Sequence, residues 1–440
     1  MFSSSSNAAP EDVCIAHAKA SFEAVARGDY EAAGKHFAPT VAKQLPPAKI
    51  RQIWQSIQRN TGKYQSHGRS RVEVIGGQPV VVTPVEFEHA QWDALYGCND
   101  DARITAAQLM PATRLAATID AEARAAEAKK PVAAKTQANG IRIAPLSVPS
   151  PYGPLRGALT LPAGKGPFPA VVLVAGSGPH VMDETVGGSK PFRDLAEGLA
   201  AAGVASLRYD KRSADYPKQM RANRGLTVDE EATDDALAAV QRLAKQDAID
   251  SDRLFVLGHS EGAMLAPRIG RRAPKLAGLI LLAAPARKLV AIMRQQTREQ
   301  GRRQGLSPAR VQASNKARAE EQRLLENADP DHPPEGDFMG APQTWWLSLH
   351  RYDQVAVAKS LSLPMLFLQG GRDFQVSAAK DFEAWETALA DQSNVAFRLY
   401  PGLSHLFTPA GKTLTPTDYH KPAYVDSEVI SDIAGWIKSR

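Results

Sequence analysis

A serine between two glycines, an aspartate and a histidine are the residues of this 440-residue chain best placed for nucleophilic chemistry. Gly258-His259-Ser260-Glu261-Gly262 fits the G-x-S-x-G nucleophile-elbow pattern. Such an elbow holds the serine on a strained turn between a strand and a helix, and a side chain in place of Gly258 or Gly262 would crowd it. Leu254-Phe255-Val256-Leu257 reads as the buried strand before the turn, and a helix can start at Glu261. Its N-terminus would set positive potential and free N–H groups beside the hydroxyl. A serine hydroxyl also needs a base. Asp373 follows the apolar run Leu366-Phe367-Leu368, and His405 follows the strand-like stretch Val395–Tyr400. His405 would take the serine proton and return it to the leaving group, with Asp373 orienting and stabilising the imidazole. Gly176-Ser177-Gly178-Pro179 follows another buried strand, Val171–Ala175. The backbone N–H groups of Ser177 and Glu261 are expected to hold the developing oxyanion.

Rival assignments are weaker. Ser177 also has flanking glycines, so it is a second candidate nucleophile. A phosphate-cradling loop there would need a Walker A or G-x-G-x-x-G motif, and neither is completed. Among the ten histidines, His17, His36, His67 and His89 fall early in the chain, His180 lies in the glycine loop and His350 in a later insert. His259, inside the elbow, reads as structural. Asp353 does not follow a core strand, and Asp391 lies in a helix-to-strand connection.

These residues must be positioned by the elements around them. From about residue 141, apolar strands alternate with helices, which predicts a parallel sheet covered on both faces. The alternation stops at Pro285 and resumes near Leu363; the helical, polar insert between reads as a cap over the carboxyl edge of the sheet. Trp345, Trp346 and Leu349 in the cap would line an acyl pocket or pack in its core. Earlier, helical spacing over Glu11–Arg59 precedes alternating runs at Arg69–Ile75, Pro79–Phe87 and Ala102–Leu109, joined in part by Gly76-Gly77. Helices followed by antiparallel strands predict a small α+β domain. The expected organisation is an α+β domain over 10–112, an Ala/Lys/Glu-rich linker over 113–140, and a catalytic domain over 141–440 with its cap at about 286–362.

The net charge is +6, with 43% hydrophobic and 23% charged residues, which excludes disorder. That charge is mild, and no aromatic platform interleaves the basic residues, so no nucleic-acid partner is expected. No run of about 18 apolar residues exists to span a membrane. The basic stretch Arg287–Arg323 is expected to be a solvated helix face, with attraction of anionic substrates or weak contact to a membrane surface as the alternative. The opening Met-Phe-Ser-Ser-Ser-Ser does not read as a signal peptide, which leaves the compartment open. Cys14 and Cys98 exclude a disulfide scaffold and a four-cysteine zinc site. They read as two buried free thiols, with a single bridge as the alternative in an exported protein.

Several segments together resemble the α/β-hydrolase carboxylesterases that carry an N-terminal domain of the DUF3887 type. They are Gly176–Pro179 with Asp183-Glu184, Pro191–Ala196, Leu207–Arg212, Gly258–Gly262 with Ala266-Pro267, Gln369–Asp373 with Gln375-Val376, and Ser404–Phe407. The resemblance implies an α/β-hydrolase fold behind a small cystatin-like or NTF2-like domain. It also implies hydrolysis of small-molecule esters by Ser260, Asp373 and His405, with neither metal nor other cofactor. The chain departs from the family pattern at Val181-Met182, Ala263 and Ser404, none of them in the triad. Arg208–Arg212 is expected to build a buried polar network beside the site. The N-terminal domain is expected to pack on the catalytic domain or to mediate dimer contacts, in a monomer or a homodimer. An amidase or peptidase, a thioesterase or acyltransferase, and a non-catalytic binding protein are the alternatives.

Overall fold

The computed structural model describes residues 10–75, 78–88, 90–112, 115, 130–303, 308–329, 337–338 and 341–440. Gly76-Gly77, His89 and most of the expected linker lie outside the described residues. The chain divides into two compact units, Met1–Ala123 with Arg298–Ala313, and Arg124–Thr297 with Ser314–Arg440.

In the first unit, helices α1 (Pro10–Arg27), α2 (Tyr30–Ala33), α3 (Pro39–Gln44) and α4 (Pro47–Thr61) precede five strands. Ala18, Phe22 and Val25 of α1 and Ile50, Trp54 and Ile57 of α4 are buried, the three-and-four spacing of one helix face. They pack on an antiparallel sheet of β1 (Tyr64–His67), β2 (Arg71–Ile75), β3 (Gln78–Phe87), β4 (Ala90–Cys98) and β5 (Ile104–Pro111). The reading of two free thiols is overturned, because Cys14 of α1 and Cys98 of β4 form a disulfide. Their separation of 84 residues carries no local signal, and only the packing of α1 on the sheet brings the sulfurs together.

The second unit is built on a nine-stranded sheet. Its strands are β6 (Lys135–Thr136), β7 (Arg142–Pro145), β8 (Gly157–Leu161), β9 (Phe168–Val174), β10 (Ala205–Tyr209), β11 (Ile249–His259), β12 (Gly278–Leu282), β15 (Met365–Gly370) and β16 (Val395–Tyr400). A small hairpin, β13 (Asp337–Phe338) with β14 (Ala341–Pro342), lies in the insert. The order across the sheet is β16-β15-β12-β11-β9-β10-β8-β7-β6. All neighbours from β16 to β10 are parallel, and β8, β7 and β6 join antiparallel. One face carries α6 (Asp234–Leu243) and α7 (Glu261–Arg272); the other carries α5 (Pro191–Ala201) and α12 (Ser427–Lys438). This double cover explains why β9 and β12 are apolar along nearly their whole length rather than alternating. The fold is that of an α/β-hydrolase. Between β12 and β15 lie α8 (Leu289–Arg303), α9 (Pro308–Glu326), α10 (Gln343–Arg351) and α11 (Gln354–Lys359).

Much of the basic stretch is paired. Arg287 bonds the buried Asp381, Lys288 donates to the Tyr352 carbonyl, and Arg318 and Arg323 pair with Glu321 and Glu320.

Candidate active site

β11 ends at His259 and α7 begins at Glu261, which leaves Ser260 alone on the turn. Its φ of 52° and ψ of −115° put a non-glycine residue in a sparsely populated region, the strain expected of an elbow. Both glycines are needed for close approach. A Cβ at Gly258 would overlap the Gly262 backbone, and one at Gly262 would overlap the Val174 carbonyl. Ser260 N–H donates to the Leu282 carbonyl at 2.9 Å, so the turn is anchored to the neighbouring strand. Ser260 Oγ has no hydrogen-bond partner among the described residues.

Asp373 follows β15 and His405 follows β16, adjacent parallel strands, so the two loops meet beyond their carboxyl ends. His405 Nδ1 lies 2.7 Å from Asp373 Oδ2, and both side chains are buried. The remaining lone pairs of Asp373 are taken up: Oδ1 accepts from the N–H of Gln375 and Val376 at 2.7 and 2.9 Å, and Oδ2 accepts from Gln369 Nε2 at 3.0 Å. The carboxylate is therefore locked in position toward His405. Gly370 permits this approach, since a Cβ there would overlap the Leu403 and Ser404 carbonyls.

Ser260, His405, Ser177 and Glu261 line one cavity of about 740 Å³. Its walls are largely apolar, with Met220, Leu226, Met264, Ile292, Trp345 and Trp346 among them. Leu349, grouped with the two tryptophans at the sequence level, packs in the core behind them and does not line the cavity. The loop after β9 lies against the elbow: a Cβ on Gly176 would stand 3.2 Å from Ser260 Cβ. Neither the Ser177 nor the Glu261 N–H has an acceptor among the described residues, so both amides remain available to a ligand.

The rival residues have other employment. Ser177 Oγ donates to Glu261 Oε2 at 2.9 Å, and His180 Nε2 lies 2.8 Å from the Ser177 carbonyl. Asp353 caps α11 by accepting from the Ala356 N–H, and Asp391 is exposed. His259 bridges Glu184 Oε1 and the His405 carbonyl, at 2.9 Å to each. Burial alone would lower the His259 pKa, but the Glu184 carboxylate overrides it and the net shift is upward. For Glu184 burial would raise the pKa, and His259 beside it with the Gly176 N–H holds it below the ordinary value. This pair ties the glycine loop to the histidine loop through the residue next to the candidate nucleophile.

The expected network at Arg208–Arg212 is present. Arg208 pairs with Asp183, Asp210 with Arg156, Lys211 with Glu231 and Glu261, and Arg212 with Asp235. Glu231 was not legible as a member. The one available signal was a run of charges directly after a buried strand, a place where charge must be paired. Among the described residues no cluster of His, Cys, Asp or Glu is arranged to hold a metal. No helix among them is long and apolar enough to cross a membrane.

The family described as DUF3887, a protein family of unknown function, matches residues 18–106. Esterase EstD of Thermotoga maritima is 41% identical over 286 residues, covering 64% of this chain and 65% of that protein, so the match spans somewhat less than two thirds of the relative. Among solved structures, Est1E from Butyrivibrio proteoclasticus aligns with a TM-score of 0.44 at 17% identity, covering 67% of this chain and 99% of that one. A hyperthermophilic esterase from Pyrobaculum calidifontis aligns with a TM-score of 0.43 at 18% identity, covering 72% and 90%. The family described as serine aminopeptidase, S33, matches residues 170–408, more than half of the sequence, and the chain belongs to this family of α/β-hydrolases.

Proposed function

We propose that the protein hydrolyses carboxylic esters through an acyl-enzyme on Ser260. The observation that carries this reading is the buried Asp373–His405 pair, 2.7 Å apart, at a cavity whose wall also holds an elbow serine. His405 Nε2 takes the proton of Ser260 Oγ as the oxygen attacks the ester carbonyl. The negative charge that develops on the carbonyl oxygen is met by the N–H groups of Ser177 and Glu261, each worth roughly 3 kcal/mol in a dry site. Collapse of the intermediate breaks the bond to the alkoxy oxygen, which leaves as the alcohol with the proton from His405. Water, deprotonated by the same imidazole, then releases the acid and restores the serine. Asp373 keeps Nδ1 protonated and Nε2 free to act as base.

The likeness to an esterase at 41% identity supports ester substrates, and the apolar cavity suits a small or medium acyl chain. Amide cleavage by the same groups is the second reading, favoured by the family's description as aminopeptidases. In this reading residues 10–112 and 141–440 are the functional domains, and the insert at about 286–362 caps the acyl pocket.

The test is labelling with a fluorophosphonate probe, read by mass spectrometry with Ser260→Ala as control. A single adduct on Ser260, lost in the variant, is the expected result. A folded protein that takes no adduct would overturn the hydrolytic reading. Matched ester and anilide substrates then separate esterase from amidase.

A further inference from the structure

The buried lysine beside the elbow has no part in the proton transfers above, yet its contacts converge on the oxyanion loop. Lys211 stands two residues beyond the end of β10, and β10 lies next to β9, whose end delivers Gly176. The Lys211 ammonium has three donors, and the structure supplies three acceptors. They are the Gly176 carbonyl at 2.9 Å, Glu231 Oε1 at 2.7 Å and Glu261 Oε1 at 3.2 Å. The Lys211 backbone N–H also holds the His180 carbonyl at the far side of the same loop.

The peptide unit explains why the first contact matters. The Gly176 carbonyl and the Ser177 N–H belong to one planar trans peptide and point in opposite directions. Holding the oxygen on one side fixes the N–H on the other. The preceding peptide is held separately, by the Gly176 N–H donating to Glu184 Oε1 at 2.6 Å. Glu261 closes the arrangement: its Oε1 accepts from Lys211, its Oε2 accepts from Ser177 Oγ, and its own N–H is the second oxyanion donor. Both proposed donors are thus referred to one ammonium.

We propose that Lys211 is a positioning residue for the oxyanion hole: by grasping the Gly176 carbonyl it aims the Ser177 N–H at the substrate's carbonyl oxygen. This rests on the hydrolytic reading above. Its effect belongs to the transition state, where the charge on that oxygen develops, and not to substrate binding. A lysine so deeply buried is costly, and it is retained here with two carboxylates around it. Burial would lower its pKa, but Glu231 and Glu261 reverse that and keep it charged.

The test compares wild type, Lys211→Met and the charge-relieved double variant Lys211→Met with Glu231→Gln. The double variant provides a folded protein if the single one is destabilised by two unpaired carboxylates. Expected is a fall in kcat on the order of 10²-fold with KM within about twofold. Affinity for a trifluoromethyl ketone, whose adduct with Ser260 carries an oxyanion, should fall in step. Affinity for the matched ether, which makes no oxyanion, should hold. Equal losses for ketone and ether, or unchanged kcat in a folded variant, would overturn the role of Lys211. If wild type itself neither turns over esters nor takes the fluorophosphonate, it is the hydrolytic reading that fails.

Discussion

The two units of this protein handle charge in opposite ways. In the first, the core is apolar and aromatic, with Phe22, Trp54, Phe87 and Ile104 at its centre, and a disulfide crosses it. Among the described residues it buries one carboxylate, Asp93. The second buries Asp183, Glu184, Arg208, Asp210, Lys211, Arg212, Glu231, Asp235, His259, Glu261, Asp381 and His405, on the last residues of its strands and on the loops and helices that follow them. Dehydrating an ionised group costs several kcal/mol unless a partner is brought with it. The core of the first unit avoids most of that cost. In the proposed hydrolytic reading the second unit accepts it to hold backbone donors, a base and its orienting carboxylate in fixed positions, because charge-assisted hydrogen bonds are short and directional.

Six substitutions, at four places in the molecule, would break or sharpen this contrast. The largest effect belongs to the site itself. Ser260→Ala and His405→Ala should each lower kcat by about 10⁴-fold or more, and Asp373→Asn by a similar or somewhat smaller factor. Steady-state rates on an activated ester check this, and near-normal turnover by His405→Ala would mean that the base is another residue.

Next comes the disulfide. Cys98→Ser should destabilise the first unit by about 2–4 kcal/mol in denaturant unfolding while kcat on the same ester stays within about twofold. A comparable loss of turnover would show that the units do not divide labour as their cores suggest.

A smaller effect is expected at the Glu184–His259 pair. The His259 pKa is raised above its ordinary 6.5, so its contribution to stability is complete below that pH and is lost as pH rises through the raised value. The Glu184 pKa is lowered from 4.5, so its contribution is present above that pH and is lost as pH falls through the lowered value. The Tm advantage of wild type over His259→Gln should therefore be widest between about pH 4.5 and 6.5 and narrow toward alkaline pH. A gap that does not change with pH would argue for hydrogen bonding without an ion pair.

The smallest effect is at the surface of the basic stretch. Arg323 pairs with Glu320 in full view of solvent, and Arg323→Ala should change stability by less than about 0.5 kcal/mol. A larger loss would mean that this exposed pair carries more than its solvation allows.

Much of the fold and the candidate site was legible because the rules involved are local. The glycines around Ser260 answer a hard-sphere limit inside five residues. The apolar runs at Val171–Val174, Phe255–Leu257 and Leu366–Leu368 mark strands buried on both faces. Asp373 and His405 stand on the loops that follow adjacent strands, so strand order alone put them within reach of each other. What could not be read is pairing across long stretches of chain. Cys14 meets Cys98 over 84 residues, Glu184 meets His259 over 75, and Lys211 meets Glu261 over 50. Spacing carries no trace of such contacts, since a buried charge or thiol acquires its partner only when separate elements pack. The sequence by itself determined which residues stand at the strand ends and which turn bears the serine. Only the tertiary structure decided that an ammonium, two carboxylates and an imidazole brace the loop around it, because burial makes those partners obligatory and packing alone selects them.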